Sequence, residues 1–234
     1  TRQALPNSMK NTLDKWEIGL VPSLLEMKVG SPGQYEGLTM QAKALKSFSD
    51  SIKNTIQDVG IVYFRAQADH TLTDGGKLNR SASYASKQIE TARKRFQNLA
   101  ADTMPALERY QEQFKQATKP PATAGEASID AELREWVRKQ NVAEVAGLIR
   151  QNRDVMAAVV RAPAMLAGLN ENLHNDIKRE YIAAVMPREA QEFEELSNLV
   201  RSANQALTTL EDESKKLIDF ESAKKIEALK VVDL

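Results

Sequence analysis

Five apolar residues, Leu38, Leu45, Ile52, Val59 and Ala66, recur at intervals of seven, and no proline occurs between residues 33 and 104. A chain with this pattern is committed to a long helix that must cover one side against other helices. Ala42, Phe48, Ile56, Val62 and Tyr63 fall between the repeats and widen the stripe into a full apolar face. A helix over about 38–70 would be roughly 50 Å long at the α-helical rise.

A second run of the same kind follows. Ile89, Phe96, Thr103, Tyr110 and Ala117 recur by seven, with Ala85, Ala92, Leu99 and Ala106 four residues ahead of the first four. Between the two runs lies Thr71-Leu-Thr-Asp-Gly-Gly-Lys77, whose paired glycines read as the reversal of a helical hairpin. The spacing therefore predicts an antiparallel, coiled-coil-like hairpin of helices over about 38–70 and 81–118. Large residues of the first would face alanines of the second. Pro105 predicts a kink near Ala101–Pro105, or a short break with Asp102 or Thr103 capping a restart.

Ahead of the hairpin, Ser8 can cap a helix bearing Leu13, Trp16 and Leu20, limited by Pro22. Leu24, Leu25 and Met27 suggest a further short helix, and Gly30-Ser-Pro-Gly33 breaks it. Beyond the hairpin, Lys119-Pro-Pro-Ala-Thr-Ala-Gly-Glu126 is the expected linker. The chain thus divides into parts 1–119 and 120–234.

In the second part, Ser128 is the expected cap of a helix with Ile129, Leu133, Trp136 and Val137, and Asn141 with Glu144 resembles a capping box. Asn141–Gln151 and Asn152–Ala162 echo each other over eleven residues, which suits two short helices or one long one. Leu166, Leu169, Leu173, Ile177, Tyr181 and Val185 predict another helix, closed by Pro187. A last helix runs from Glu189 towards Lys230, with Phe193, Leu196, Val200, Ala203, Leu207, Leu210, Ser214 and Leu217 as its seam.

The whole reads as an all-α, elongated helical bundle. Only 10 glycines and 8 prolines are spread over 234 residues, too few for the closely spaced turns of a sheet protein.

Little chemistry is legible. Without cysteine there is no disulfide, thiolate metal site or cysteine nucleophile. Glu171-Asn-Leu-His174 offers one Glu-x-x-His step, but a di-iron bundle needs two, and Gln67 stands where His70 would need its glutamate. His174 therefore reads as a surface or lightly packed histidine. Thr73-Asp-Gly-Gly-Lys-Leu78 lacks the hydroxyl residue and preceding strand of a phosphate loop. No Gly-x-Ser-x-Gly supports a serine triad. The reading is non-enzymatic, with no catalytic residues, metal or cofactor expected.

The net charge is zero, so nucleic acid is not an expected partner. Residues 1–119 carry +5, 120–186 carry −1 and 187–234 carry −4. Arg93-Lys94-Arg95 is the densest basic patch and a candidate contact for an anionic surface. The most apolar stretch is Val155–Leu169, too short and too interrupted by Arg161 and Pro163 for a membrane span. Its Val155, Met156, Val159, Val160, Met165 and Leu166 are the candidate face for a partner or for self-association.

The expected function is that of a structural, assembly or adaptor protein working through helix–helix contacts, such as a subunit of a virion or secretion apparatus. A peripheral membrane-shaping or membrane-inserting helical module is the alternative. No leader is visible in Thr-Arg-Gln-Ala-Leu-Pro, so the expected location is the cytoplasm or the interior of an assembly.

Overall fold

The computed structural model describes residues 40–141 and 144–232. Leu38 and the short helices expected before Gly33 lie outside these residues. Of the described residues 87% are helical and none is in a strand. The helices are α1 (Met40–Ala68), α2 (Asp74–Ala117), α3 (Ala124–Arg138), α4 (Val145–Gln151), α5 (Arg153–Val160), α6 (Glu171–Val185), α7 (Pro187–Leu217) and α8 (Phe220–Val232), with a 3-10 turn at Ala164–Ala167. The protein is an all-α helical bundle.

The chain folds into two compact units. Unit 1 comprises Thr1–Thr103 with Asn198–Leu234, and unit 2 is Met104–Ser197. The boundaries fall inside α2 and α7, one of them just before Pro105, and not in the segment 119–128 where the composition had placed the division.

In unit 1 the heptad residues of α1 do what their spacing predicts. Leu45, Ile52, Val59 and Ala66 are buried, together with Ala42, Phe48 and Ile56. On α2 the buried residues are small, Ser81, Ala82, Ala85 and Ala92, which allows neighbouring helices to approach closely. Phe48 meets Phe96 with ring centroids 6.0 Å apart, and Arg95 donates to the Ser51 hydroxyl at 3.3 Å. These pairs lie at nearly equal distances along the chain from the turn at 69–73, so α1 and α2 run antiparallel. The other flank of α2 meets the C-terminal helices. Arg93 pairs with Glu211 at 2.6 Å, and a Cβ at Gly75 would stand 3.6 Å from Ile226.

The reversal between α1 and α2 is made differently from the expectation. Gly75 and Gly76 lie inside the first turn of α2, and neither has positive φ. The chain turns at Asp69, whose carboxylate accepts from the Thr71 amide at 2.9 Å and its hydroxyl at 2.6 Å. Thr73 then caps α2 by accepting from the Gly76 amide at 3.1 Å, so the helix starts seven residues before Ser81. Pro105 does not break α2 either, and neither Asp102 nor Thr103 caps a restart. Thr103 is buried within the helix and donates to the Leu99 carbonyl at 2.7 Å.

Unit 2 is organised around α5. All six residues from Val155 to Val160 are buried, so this eight-residue helix is enclosed on every side. Helices α3, α4 and α6 and the 3-10 turn all pack against it. Val137, Val145, Ile149, Ile177 and Tyr181 supply their apolar faces.

Local side chains set the boundaries in this unit. Thr123, not Ser128, caps α3: its hydroxyl accepts from the Glu126 amide at 3.3 Å and donates to the Glu126 carboxylate at 2.9 Å. Asn152 resolves the eleven-residue echo into two helices. It stands extended between α4 and α5, and its side chain accepts from the Asp154 and Val155 amides. The Asn141–Glu144 pair acts through the backbone, where the Asn141 carbonyl accepts from the amides of Glu144 and Val145.

Two expected helices are shorter than their apolar periods. Leu166 and Leu169 precede α6 because Gly168 turns the chain at φ 71°, and Asn170 caps a new start. At Gly168 the positive φ favours glycine, and a Cβ there would stand 3.0 Å from Arg138 Cγ, so that side chain would have to shift. The single last helix is two, α7 and α8. Asp219 breaks it by accepting from the Ser222 amide at 3.0 Å and its hydroxyl at 2.6 Å.

Ile52 is buried while Lys53 beside it is exposed. Ile52→Asp is expected to lose about 3 kcal/mol or more, since the charge has no partner there. Lys53→Asp should stay within about 0.5 kcal/mol of the parent. Urea titration of the two variants checks the assigned face.

Within unit 2, the Tyr110 hydroxyl donates to Glu192, and Arg188 donates to the same carboxylate at 2.9 Å. The Tyr110 hydrogen bond is the main cause holding the Glu192 carboxyl below its ordinary range, with Arg188 adding to it. The same bond raises the Tyr110 phenol above its own ordinary value. The Glu192 contribution is therefore complete above the unfolded carboxylate range and is lost as pH falls through the lowered value. The Tyr110 contribution is complete below the free phenol value near 10 and fades as pH rises through the raised one. Tyr110→Phe should cost roughly 1 kcal/mol near pH 7. That difference should shrink below about pH 4, as urea titrations at the two pH values would show.

Candidate functional site

The predicted partner face separates into two groups of opposite character. Val155, Met156, Val159 and Val160 form the centre of unit 2's core, and this corrects their reading as a binding surface. The physical reason is that α5 is apolar all round, as a helix enclosed by others is. Met165 and Leu166, in the 3-10 turn, do reach solvent, at 78% and 46% exposure.

His174 is buried, not lightly packed. Its Nε2 lies 3.2 Å from the Val159 carbonyl and 3.0 Å from that of Ala162. Both neighbours can only accept, so Nε2 carries the proton. Arg134 donates to the Ala158 carbonyl at 2.9 Å. Two side chains from flanking helices thus reach carbonyls at and just beyond the end of α5, of which that of Val159 also accepts from the Ala162 amide at 3.4 Å. Asp130, also buried, faces Arg161 at 3.5 Å beside the same helix end. This is a polar girdle that fixes α5. His70 sits apart from it, exposed in the turn after α1. Among the described residues no three His, Cys, Asp or Glu side chains are grouped to hold a metal ion.

Arg93, Lys94 and Arg95 each engage a different neighbour. Arg93 binds Glu211, Lys94 pairs with Glu90 at 2.7 Å, and the Arg95 guanidinium lies 5.7 Å from the Phe48 ring centroid. Arg93 and Lys94 border an open groove of about 1090 Å³ in unit 1, between α2 and the bend joining α7 to α8. Its floor includes Ile89 and Phe220. The further rim lysines also have acidic neighbours, Lys215 at 3.8 Å from Asp212 and Lys224 at 3.7 Å from Glu221.

Two exposed apolar residues escaped the sequence reading. Ile129 and Trp136 of α3 are 58% and 42% exposed, although their period had assigned them to a buried face. The helix turns its Val137 side into the core, with Leu133 partly covered. Ile129 and Trp136, seven residues apart, are left on one flank. Arg134 and Arg138 occupy the other flank, beside the segment carrying Met165 and Leu166. A helical wheel drawn from Val137 would have separated Trp136 from the buried arc. The apolar period alone did not.

A second, smaller groove of about 410 Å³ opens in unit 2 between α2 and α6. Phe114 and Ile182 form its floor, and Lys115, Lys178 and Arg179 its charged border. Phe114 is held from behind by Phe193 of α7, with an edge-to-face contact at 5.4 Å.

Among the described residues no helix is long and apolar enough to cross a membrane. Val159→Glu is expected to unfold unit 2, with a loss above about 3 kcal/mol for an unpaired buried charge. Leu166→Glu should leave the melting temperature near that of the parent. Equal thermal melts would place α5 at the surface. No family model, curated protein or solved structure matches this chain.

Proposed function

We propose that the protein is a non-enzymatic structural or adaptor subunit that acts through helix–helix contacts with a protein partner or with its own copies. The observation that carries this reading is the exposed apolar flank of α3, Ile129 and Trp136. Tryptophan is enriched among the residues that dominate binding energy at protein interfaces. A helix presenting apolar residues seven apart offers one line of contact to another helix. The α3 backbone is held by the Thr123–Glu126 cap at its start and by Val137 in the core, so the flank is presented by a fixed helix. Extended coiled-coil pairing along the long helices would suit the same scaffold role.

Light scattering and pull-down with the full chain test the proposal, comparing the parent with Ile129→Asp/Trp136→Asp. The double variant should melt like the parent and lose self-association or partner capture. Retention of every such contact by a folded double variant overturns it.

A further inference from the structure

We propose that the groove between α2 and α6 of unit 2 is a docking site for an acidic amphipathic helix of a partner protein. The inference rests on the helix-binding reading above and adds the chemistry of what is bound. Gln111, Phe114 and Lys115 on α2 and Asn175, Lys178, Arg179 and Ile182 on α6 line the groove. Both sets follow the i, i+3, i+4 spacing of a single helix face, so one ridge of side chains from each helix borders the opening. A third helix can lie between such ridges with its apolar residues on Phe114 and Ile182.

Charge determines which helix fits. Three cations border the groove and, among the described residues, no carboxylate lines it. Lys115 and Arg179 have acidic neighbours on their own helices, Glu112 and Asp176. Lys178 is half-buried and, among the described residues, makes no ion pair or hydrogen bond. An ammonium group so placed favours an approaching carboxylate over any neutral surface.

The charge of the unit around it narrows the partner further. Met104–Ser197 carries 12 basic and 15 acidic side chains, a net −3. Nucleic acid and anionic membranes present extended negative surfaces, which this net charge opposes beyond the immediate groove. A short helix with acidic flanks meets the three cations without spreading over the acidic remainder.

The test is fluorescence anisotropy with the full chain and two labelled synthetic helical peptides. Both have leucines at i, i+3, i+4 and i+7; one is flanked by glutamates and its twin by lysines. The glutamate peptide should bind and weaken as salt rises. Lys178→Glu should reduce its affinity about tenfold or more. Lys178→Gln should give an intermediate loss, and circular dichroism melts should show both variants folded. The lysine peptide should bind the parent poorly and bind Lys178→Glu better. Absence of glutamate-peptide binding at about 1 mM overturns the proposal, as does equal affinity for parent and folded variants, or equal binding of both peptides. Selective pelleting of the parent by phosphatidylserine vesicles, lost in Lys178→Glu, would assign the groove to a membrane and also overturn it. Ile129→Asp/Trp136→Asp separates this site from the α3 flank, since that variant should bind the glutamate peptide as the parent does.

Discussion

A helix buried on all sides creates a demand that apolar packing does not meet: its last carbonyls still need donors. Helix α5 is such a helix, and most of the polar design of unit 2 answers that demand. Arg134 reaches the Ala158 carbonyl from α3, and His174 reaches those of Val159 and Ala162 from α6. Each contact places a polar side chain inside the unit, so the helices that carry them are fixed in rotation about their own axes. Once Arg134 is directed inward, Val137 must face the core, and Trp136 is carried outward. The candidate binding flank of α3 is therefore a geometrical result of satisfying the end of α5.

The two units solve helix packing in different ways. Unit 1 relies on long apolar seams, with large residues on α1 and small ones on α2, and its buried Ser81 and Thr103 hydroxyls donate to carbonyls of their own helix. Unit 2 uses short helices whose ends are closed by specific side chains: Thr123, Asn152, Gly168 and Asn170. Short helices have a high proportion of unpaired backbone groups, so caps determine their lengths more than periodicity does. That contrast explains why the exposed apolar residues named for unit 2 arise on elements whose rotation is set by caps and by buried polar contacts.

The same contrast governs what could be read from the sequence. The heptad positions of α1 are legible, because seven-residue spacing and burial coincide from Leu45 to Ala66, whereas Val62 and Tyr63 beside them are only half-buried. The seam of α7 was legible through Leu196, Ala203, Leu207, Leu210 and Ser214. Helix ends were harder. Thr123 with Glu126 is a capping pair visible in the sequence, but Ser128, closer to the apolar run, was preferred. Asp219 likewise ends α7 inside a stretch whose composition stays helical throughout. The candidate site was mostly illegible. The most apolar stretch reads as a face from composition alone, whereas continuous hydrophobicity over six residues belongs to a helix enclosed on every side. The α2–α6 groove brings Lys115 and Lys178 together from positions 63 apart in number, and no local pattern signals such a meeting.

The division of the chain at 103/104 and 197/198 also dictates an order of events during synthesis. Unit 2 is one uninterrupted stretch placed within the sequence of unit 1. A ribosome therefore delivers α1 and the first part of α2, then the whole of unit 2, and only afterwards the Asn198–Leu217 segment that carries Ala203, Leu207 and Leu210. Unit 2 can complete its core while unit 1 still lacks the contacts that Glu211 and Ile226 make with α2. The flank of α2 that carries Gly75 and Arg93 must wait in contact with water until α7 and α8 arrive. A nascent chain built this way leaves that flank of α2 open for as long as the whole of unit 2 takes to be made.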